Sequence, residues 1–280
     1  MGIRDFQSYM LKSGNLTQIG RGIQGPLLID GMAACYRLYR ELDWKNGGQY
    51  KELEHKCIDF VTNLRKSNIE PIFVFDGVDY KGEKKQTLVR RRMTVDKISS
   101  YLLTDCISDC SCIPIFARIV MSEVLRQMKV PFIVADGDAD SLTASIANYY
   151  KCPVLSNDSD FFLYNVEGGY IPFQSFDCTK CCITGNIYNW TDFASIFRNP
   201  DIVYLIPALA SNDFISESVE HDVMAVINKG SSSSIFATRG RFGRARRTSG
   251  SSNRIFDVVD YIRSSSSVEE FFLSCSFKAA

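Results

Sequence analysis

Apolar residues in this chain gather in short runs, and the runs stop at acids. Pro26-Leu27-Leu28-Ile29 ends in Asp30, and Pro71-Ile72-Phe73-Val74-Phe75 ends in Asp76-Gly77. Phe132-Ile133-Val134-Ala135 leads into Asp136, Asp138 and Asp140, and Val154-Leu155 leads into Asp158 and Asp160. Short apolar runs bounded by polar turns predict buried strands. The stretches between them carry a different period. Leu53, Cys57, Phe60, Val61 and Leu64 recur at helical intervals and predict a helix over 49–67. Met121, Val124, Leu125 and Met128 predict another over 116–129. Residues 32–42 contain no Gly or Pro and read as a third helix. Gly168 to Phe173 predicts a further short strand. Trp190 to Phe197 predicts a helix that Asn199-Pro200 breaks, and an apolar stretch from Asp201 to Leu209 then runs toward Asp213.

Strands alternating with helices give an α/β fold with a central, mostly parallel sheet flanked by helices. The stretch from Pro131 to Tyr164 organises that reading, because it forms a strand, a helix and a second strand. The two strands are expected to be parallel neighbours joined by a right-handed crossover. Their five acids would then share one edge of the sheet, where open α/β sheets bind ligands. Carboxylates so crowded repel one another and call for a counter-charge. A cluster that offers oxygen and no histidine suits hard divalent cations, Mg2+ first and Mn2+ as the alternative.

A plainer role for each acid is helix capping, since Asp after a strand and before a helix is a common N-cap. Asp140, Asp158 and Asp160 all fit that position. Capping, however, uses one carboxylate per helix. Here Asp30, Asp76, Asp136, Asp138, Asp140, Asp158 and Asp160 all sit at strand exits, two pairs have i, i+2 spacing, and Asp213 follows another apolar stretch. That redundancy suits two cations about 4 Å apart, which lower the pKa of an attacking water and neutralise phosphate charge.

Composition narrows the picture. Apolar residues make up 45% of the 280, enough for a sizeable core, and 32 basic residues balance 32 acidic ones. Any contact with a polyanion must therefore come from local patches. Lys81 to Lys97 is one, with seven basic residues against two acids, a local balance of +5. It reads either as a solvated helix face or as phosphate contact beside the acids. Arg239 to Arg254 carries six arginines and no acid between serine runs at 231–234 and 264–267. This part reads as flexible, its arginines touching phosphate, serving as an import signal or simply solvated. Residues 268–276 are apolar enough to dock back as a short helix.

Other chemistries find little support. The histidines are His55 and His221, so no Ser-His-Asp set is evident, and no GxxxxGK[ST] loop is present for ATP. Ten cysteines include Cys106, Cys110 and Cys112 in one group and Cys178, Cys181 and Cys182 in another. Neither has the His or second pair that a zinc site wants, so ordinary thiols are expected. No apolar run approaches a membrane span, and the N-terminus lacks the apolar core of a secretory signal. An intracellular protein with reduced thiols is expected, in the nucleus or the cytoplasm, with the nucleus favoured.

The motifs MGI, LLIDGMAACYRLY, FVFDG, VADGDADSLTA, LSNDSDFFL and LASNDF stand in the order found in the flap-endonuclease and XPG-like nucleases of the PIN-like fold. Within that group the chain most resembles the asteroid family. The resemblance covers about residues 1–215 and leaves 216–280 as a divergent helical or partly flexible appendage. It implies a metal-dependent nuclease acting on nucleic acid, DNA before RNA. By the same resemblance Asp30, Asp76, Asp138, Asp140, Asp158, Asp160 and Asp213 hold two Mg2+ ions. Asp76, Asp138 and Asp140 would lie nearer the first ion, and Asp158, Asp160 and Asp213 nearer the second. Arg90, with Lys84 and Lys85, falls where the family has basic arch residues that hold the scissile phosphate. Gly2 would lie close to the site.

The chain also departs from the flap-endonuclease pattern. Asp138 and Asp140 stand where Glu-x-Glu is usual, each one methylene shorter. The segment after Asp213, FISESVEHDVMAVINKG, lacks the glycines of the duplex-binding helix-two-turn-helix, and no clamp-binding motif is apparent. Asteroid proteins are linked to receptor tyrosine kinase signalling. The resemblance therefore also implies an alternative, a nuclease-fold interaction protein with weak or no catalysis.

Overall fold

A computed structural model describes residues 6–13, 17–18, 23–44, 47–78, 89, 92–96, 98–99, 113–179, 183–197, 199–209, 258–260 and 262–263. The chain divides into two compact units, Leu16–Trp190 and Met1–Asn15 with Thr191–Ala280. The boundary expected near residue 215 lies outside the described residues.

The larger unit is built on parallel strands. In chain order its strands are β1 (Thr17–Gln18), β2 (Gly25–Asp30), β3 (Ile69–Phe75), β4 (Phe132–Val134), β5 (Val154–Ser156), β6 (Tyr170–Pro172) and β7 (Asn186–Ile187). β2 to β6 form one sheet in the order β4-β3-β2-β5-β6, and every pairing in it is parallel. β1 and β7 make a separate antiparallel pair. The helices are α1 (Phe6–Ser13), α2 (Gly31–Tyr39), α3 (Tyr50–Lys66), α4 (Ala117–Gln127), α5 (Asp140–Tyr150), α6 (Trp190–Ala194) and α7 (Ile206–Leu209).

The expectation that the strands around Pro131 and Val154 are neighbours is corrected by this order. β4 pairs with β3, and β5 pairs with β2, so two strands lie between them. The crossover through α5 therefore spans the middle of the sheet. Because all five strands are parallel, their C-terminal ends still share one edge. Edge position also explains why β4 is half exposed, with Ile133 at 40% and Val134 at 49%, although its apolar run reads as buried.

The core follows the two periodicities. Leu27, Leu28 and Ile29 of β2, Phe73, Val74 and Phe75 of β3, and Leu155 of β5 are fully buried. Side chains of this size each contribute about 1.5–3 kcal/mol when removed from water. α3 buries Leu53, Cys57, Phe60, Val61 and Leu64, the stripe its sequence marks, and α4 buries Met121, Val124 and Leu125. Cys35, Cys57, Cys152 and Cys178 are free, buried thiols. The remaining grouped cysteines, at 106, 110, 112, 181 and 182, lie outside the described residues.

Two glycines set how closely the strand ends approach. A Cβ on Gly31, directly after Asp30, would run into the Phe75 ring, and one on Gly77, directly after Asp76, would overlap the Ala135 carbonyl. The Asp-Gly pairs at these exits thus combine a carboxylate with a residue small enough for the next chain to pass.

In the smaller unit Phe6 stacks on Tyr9 and meets Phe193 edge-on, with ring centroids 6.1 and 5.9 Å apart. The apolar stretch after Asn199 folds as a 3-10 turn, Pro200–Leu205, and continues into α7. Its start is capped by the Asn199 side chain, which accepts from the Asp201 N–H at 3.0 Å. Val258, Val259 and Ile262 are buried helical residues. The serine runs, the arginine segment and residues 268–276 lie outside the described residues. Among the described residues no helix is long and apolar enough to cross a membrane.

Candidate metal centre

The acids at the sheet edge are held by a short chain of hydrogen bonds. Asp30 ends β2 and caps α2, its Oδ1 accepting from the Ala33 N–H at 2.9 Å. Its Oδ2 accepts from the Ser156 hydroxyl at 2.6 Å. Ser156, fully buried at the end of β5, in turn accepts from the Asp158 N–H at 3.0 Å. Asp158 caps the 3-10 turn Ser159–Phe162, accepting from the Asp160 N–H at 3.1 Å. On the other side of β2, Asp76 follows β3 and accepts from the Ala139 N–H at 3.0 Å. Gly77 N–H donates to the Gly137 carbonyl at 2.7 Å, so the loop that carries Asp138 is anchored to the exit of β3. The Asp138 side chain accepts from the Asp140 N–H at 3.4 Å.

Capping and convergence therefore coexist. Asp30 and Asp158 do cap, each through one oxygen, and the other oxygen of Asp30 accepts from Ser156. Asp140 does not cap; it is the first residue of α5, whose N-cap is Ala139. Carboxylate oxygens of Asp140, Asp158 and Asp160 lie within 4.8 Å of one another. This tight group crosses the division implied by the resemblance, in which Asp140 sits apart from Asp158 and Asp160. Asp136 is exposed. Asp213, Lys84, Lys85 and Arg90 lie outside the described residues, while Arg92 is exposed on a short helical segment.

Crowding shows in the protonation of the acids. Burial pushes Asp140 up to about 8, and the carboxylates of Asp158, Asp138, Asp30 and Asp160 add to the rise. Burial also raises Asp30. The Ala33 N–H and the Ser156 hydroxyl oppose that rise, and the charges of Asp76 and Asp158 add to it. A cation bound among these groups would reverse the effect by favouring the charged forms. The donor set is all oxygen, three carboxylates lie in reach of one ion, and a hard divalent cation fits it.

Three residues at the site were not singled out in the sequence. Ser156 links Asp30 to Asp158, and the only signal was a serine at the end of an apolar run. The Tyr164 hydroxyl shares a hydrogen bond with Ser141 at 3.2 Å. Burial raises its pKa, and Asp140, Asp138 and Asp160 raise it further. Tyr170, fully buried beneath the cluster, donates to the Ser156 carbonyl at 3.1 Å.

An XPG N-terminal domain matches residues 1–98, and a model described as XPG domain containing matches residues 112–223. The Single-strand DNA endonuclease ASTE1 of Danio rerio is 32% identical over 184 residues, 64% of this chain and 26% of that protein. The human protein of the same name is 28% identical over 229 residues, 77% of this chain and 34% of that one. Protein asteroid of Drosophila melanogaster is 29% identical over 176 residues, 61% of this chain and 20% of that one. The chain thus spans about a third or less of the length of these curated relatives.

Among solved structures, the catalytic core of Rad2 in complex with DNA substrate superposes with a TM-score of 0.55 at 14% identity. The match covers 82% of this chain and 70% of that one. Human GEN1 in complex with Holliday junction DNA gives 0.52 at 14% identity, covering 81% and 56%. At such low identity these likenesses speak for the fold.

Proposed function

We propose that this chain, which belongs to the asteroid family of XPG-like nucleases, hydrolyses phosphodiester bonds in single-stranded DNA using divalent cations held by its aspartates. The observation that carries the proposal is the convergence of Asp140, Asp158 and Asp160 within 4.8 Å at the C-terminal edge of a parallel sheet. The names of the ASTE1 relatives supply the substrate class. Mg2+ is the proposed ion, with Mn2+ as the alternative, and two ions are proposed. Bound there, they would acidify an attacking water and neutralise charge on the phosphate.

The chain's own groups have separable tasks. Asp140, Asp158 and Asp160 supply the tight oxygen set. Asp30, Asp76 and Asp138 surround it, and Asp213 is proposed to complete it. Ser156 holds Asp30 and the Asp158 backbone in register. Lys84, Lys85 and Arg90 are proposed to hold the scissile phosphate, because carboxylates that have bound metal still repel a polyanion at longer range.

The test compares wild type with an Asp158→Ala, Asp160→Ala variant on single-stranded, flap and gapped DNA and on single-stranded RNA, with Mg2+ or Mn2+. Wild type should cleave single-stranded DNA, and the variant should lose at least 100-fold in rate, about the effect of removing one strong electrostatic group. Equal rates for the two proteins would remove the nuclease reading and leave the interaction-protein reading in its place.

A further inference from the structure

A cavity of about 630 Å³ lies among residues that follow β2, β5 and β6 in the chain. Its described lining includes Tyr36, Arg37, Arg40, Trp44, Asn157 and Gln174. Three features make it more than a surface hollow. Its size lies within the range of small-ligand sites. Its position ties it to the metal centre, since Asn157 directly precedes Asp158 and α2 runs from the Asp30 cap to Arg37 and Arg40. At about 1.5 Å per residue those arginines stand roughly 10–15 Å along the helix from Asp30. Finally, its chemistry is mixed in a particular way: two cations, the three aromatic rings of Tyr36, Tyr39 and Trp44, two carboxamides, and the apolar side chains of Leu42 and Ile113.

The cations are available. Arg37 and Arg40 are exposed, lie three apart on one helix face, and make no hydrogen bond or ion pair among the described residues. Their charge is felt by Glu41, whose pKa falls mainly through its bond to Lys56 and further through Arg37 and Arg40. Asn157 is a second sign of an unfilled role: its Oδ1 is shielded from solvent and has no hydrogen-bond partner. Such a group costs stability unless something else uses the side chain. Guanidinium groups suit phosphate, aromatic rings suit a base face, and carboxamides suit a base edge.

We propose that this cavity is a nucleotide subsite, in which one unpaired nucleotide of a single strand stacks its base on Trp44 while Arg37 and Arg40 hold its phosphates and Asn157 and Gln174 face the base edge. The inference rests on the nuclease reading for the presence of a single strand. It adds the place where that strand is gripped next to the reacting phosphate. A grip there would set the distance from a held nucleotide to the cut, and Asn157 would make that grip sensitive to base identity.

The chain has two tryptophans, Trp44 and Trp190, so a Trp190→Phe background makes fluorescence report on the cavity alone. The experiment titrates that 280-residue chain with oligo-dT in EDTA, which blocks cleavage, and follows total binding in parallel by the anisotropy of a labelled oligonucleotide. Expected are saturable quenching of Trp44 that tracks the anisotropy, and a loss of affinity of about five-fold or more in Trp44→Ala, the range for one stacked base. An Arg37→Ala, Arg40→Ala variant keeps the tryptophan and changes only exposed residues. It should flatten the salt dependence of binding by about 1.4 log units per log unit of salt.

Anisotropy without quenching would place the strand elsewhere and overturn the subsite while leaving the nuclease reading intact. Quenching by a phosphorylated peptide and not by oligo-dT would overturn it in favour of a protein ligand. Neither binding nor metal-dependent cleavage would remove both readings together.

Discussion

The Ser156 hydroxyl donates to Asp30 Oδ2 across 2.6 Å, joining residues 126 apart in the chain and fastening the end of β5 to the end of β2. The same hydroxyl oxygen accepts from the Asp158 N–H, so one buried serine fixes two of the acids at the sheet edge. Ser156→Ala would leave a partly buried carboxylate and a backbone N–H each short of a partner. Hydrogen bonds to charged groups contribute about 1.5–3 kcal/mol, and urea unfolding should show a loss in that range. Cleavage should fall as well, because the Asp158 backbone loses its anchor.

The proton held by Asp140 ties stability to pH. Its folded pKa, about 8, stands above the ordinary 3.8, with burial the main cause. The folded state therefore binds more protons than the unfolded state between those values, and stability falls as pH rises through that window. Melting temperature in EDTA should decline from pH 5 to pH 8 and level off above it. Asp140→Asn should flatten the decline.

Divalent cation should act in the opposite sense. Binding requires the ionised acids, so Mg2+ or Mn2+ should raise the melting temperature more at pH 8 than at pH 5. At 100 times Kd the gain is about 2.7 kcal/mol for one site. The Asp158→Ala, Asp160→Ala variant should show no such gain, which calorimetry with and without EDTA would reveal.

Gly77 and Gly137 face each other across a hydrogen bond but differ in the space around them. A side chain on Gly77 would meet backbone atoms of Ala135 and Asp136, whereas nothing lies within 4 Å of a Cβ on Gly137. Gly77→Ala should cost about 1–3 kcal/mol by overpacking and displace Asp76. Gly137→Ala should stay within about 0.5 kcal/mol, as surface changes do. Paired thermal melts of the two variants test the difference.

The basic stretch should act through the salt dependence of binding. Replacing Lys84, Lys85 and Arg90 with alanine removes three charges, and each phosphate contact on a single strand contributes about 0.7 to the slope of log K against log salt. A slope lower by about 2 is expected, with the melting temperature unchanged. An unchanged slope would return these residues to a solvated helix face.

Much of this protein is written locally. The runs ending in Asp30, Asp76 and Asp158 and the stripe from Leu53 to Leu64 each depend on neighbours within a few residues. Alternation of apolar and polar positions therefore determines which elements form and where the acids leave them. Tertiary structure alone decided the rest. The order β4-β3-β2-β5-β6 depends on which strand faces pair, a contest among distant segments with similar apolar surfaces. For that reason two strands joined by one helix proved not to be neighbours. The same long-range pairing brings Asp140 to Asp158 and Asp160, places Ser156 against Asp30, and opens a cavity among residues from 36 to 174. Proximity across the sheet edge arises only when all strands pack at once, and no spacing along the chain encodes it.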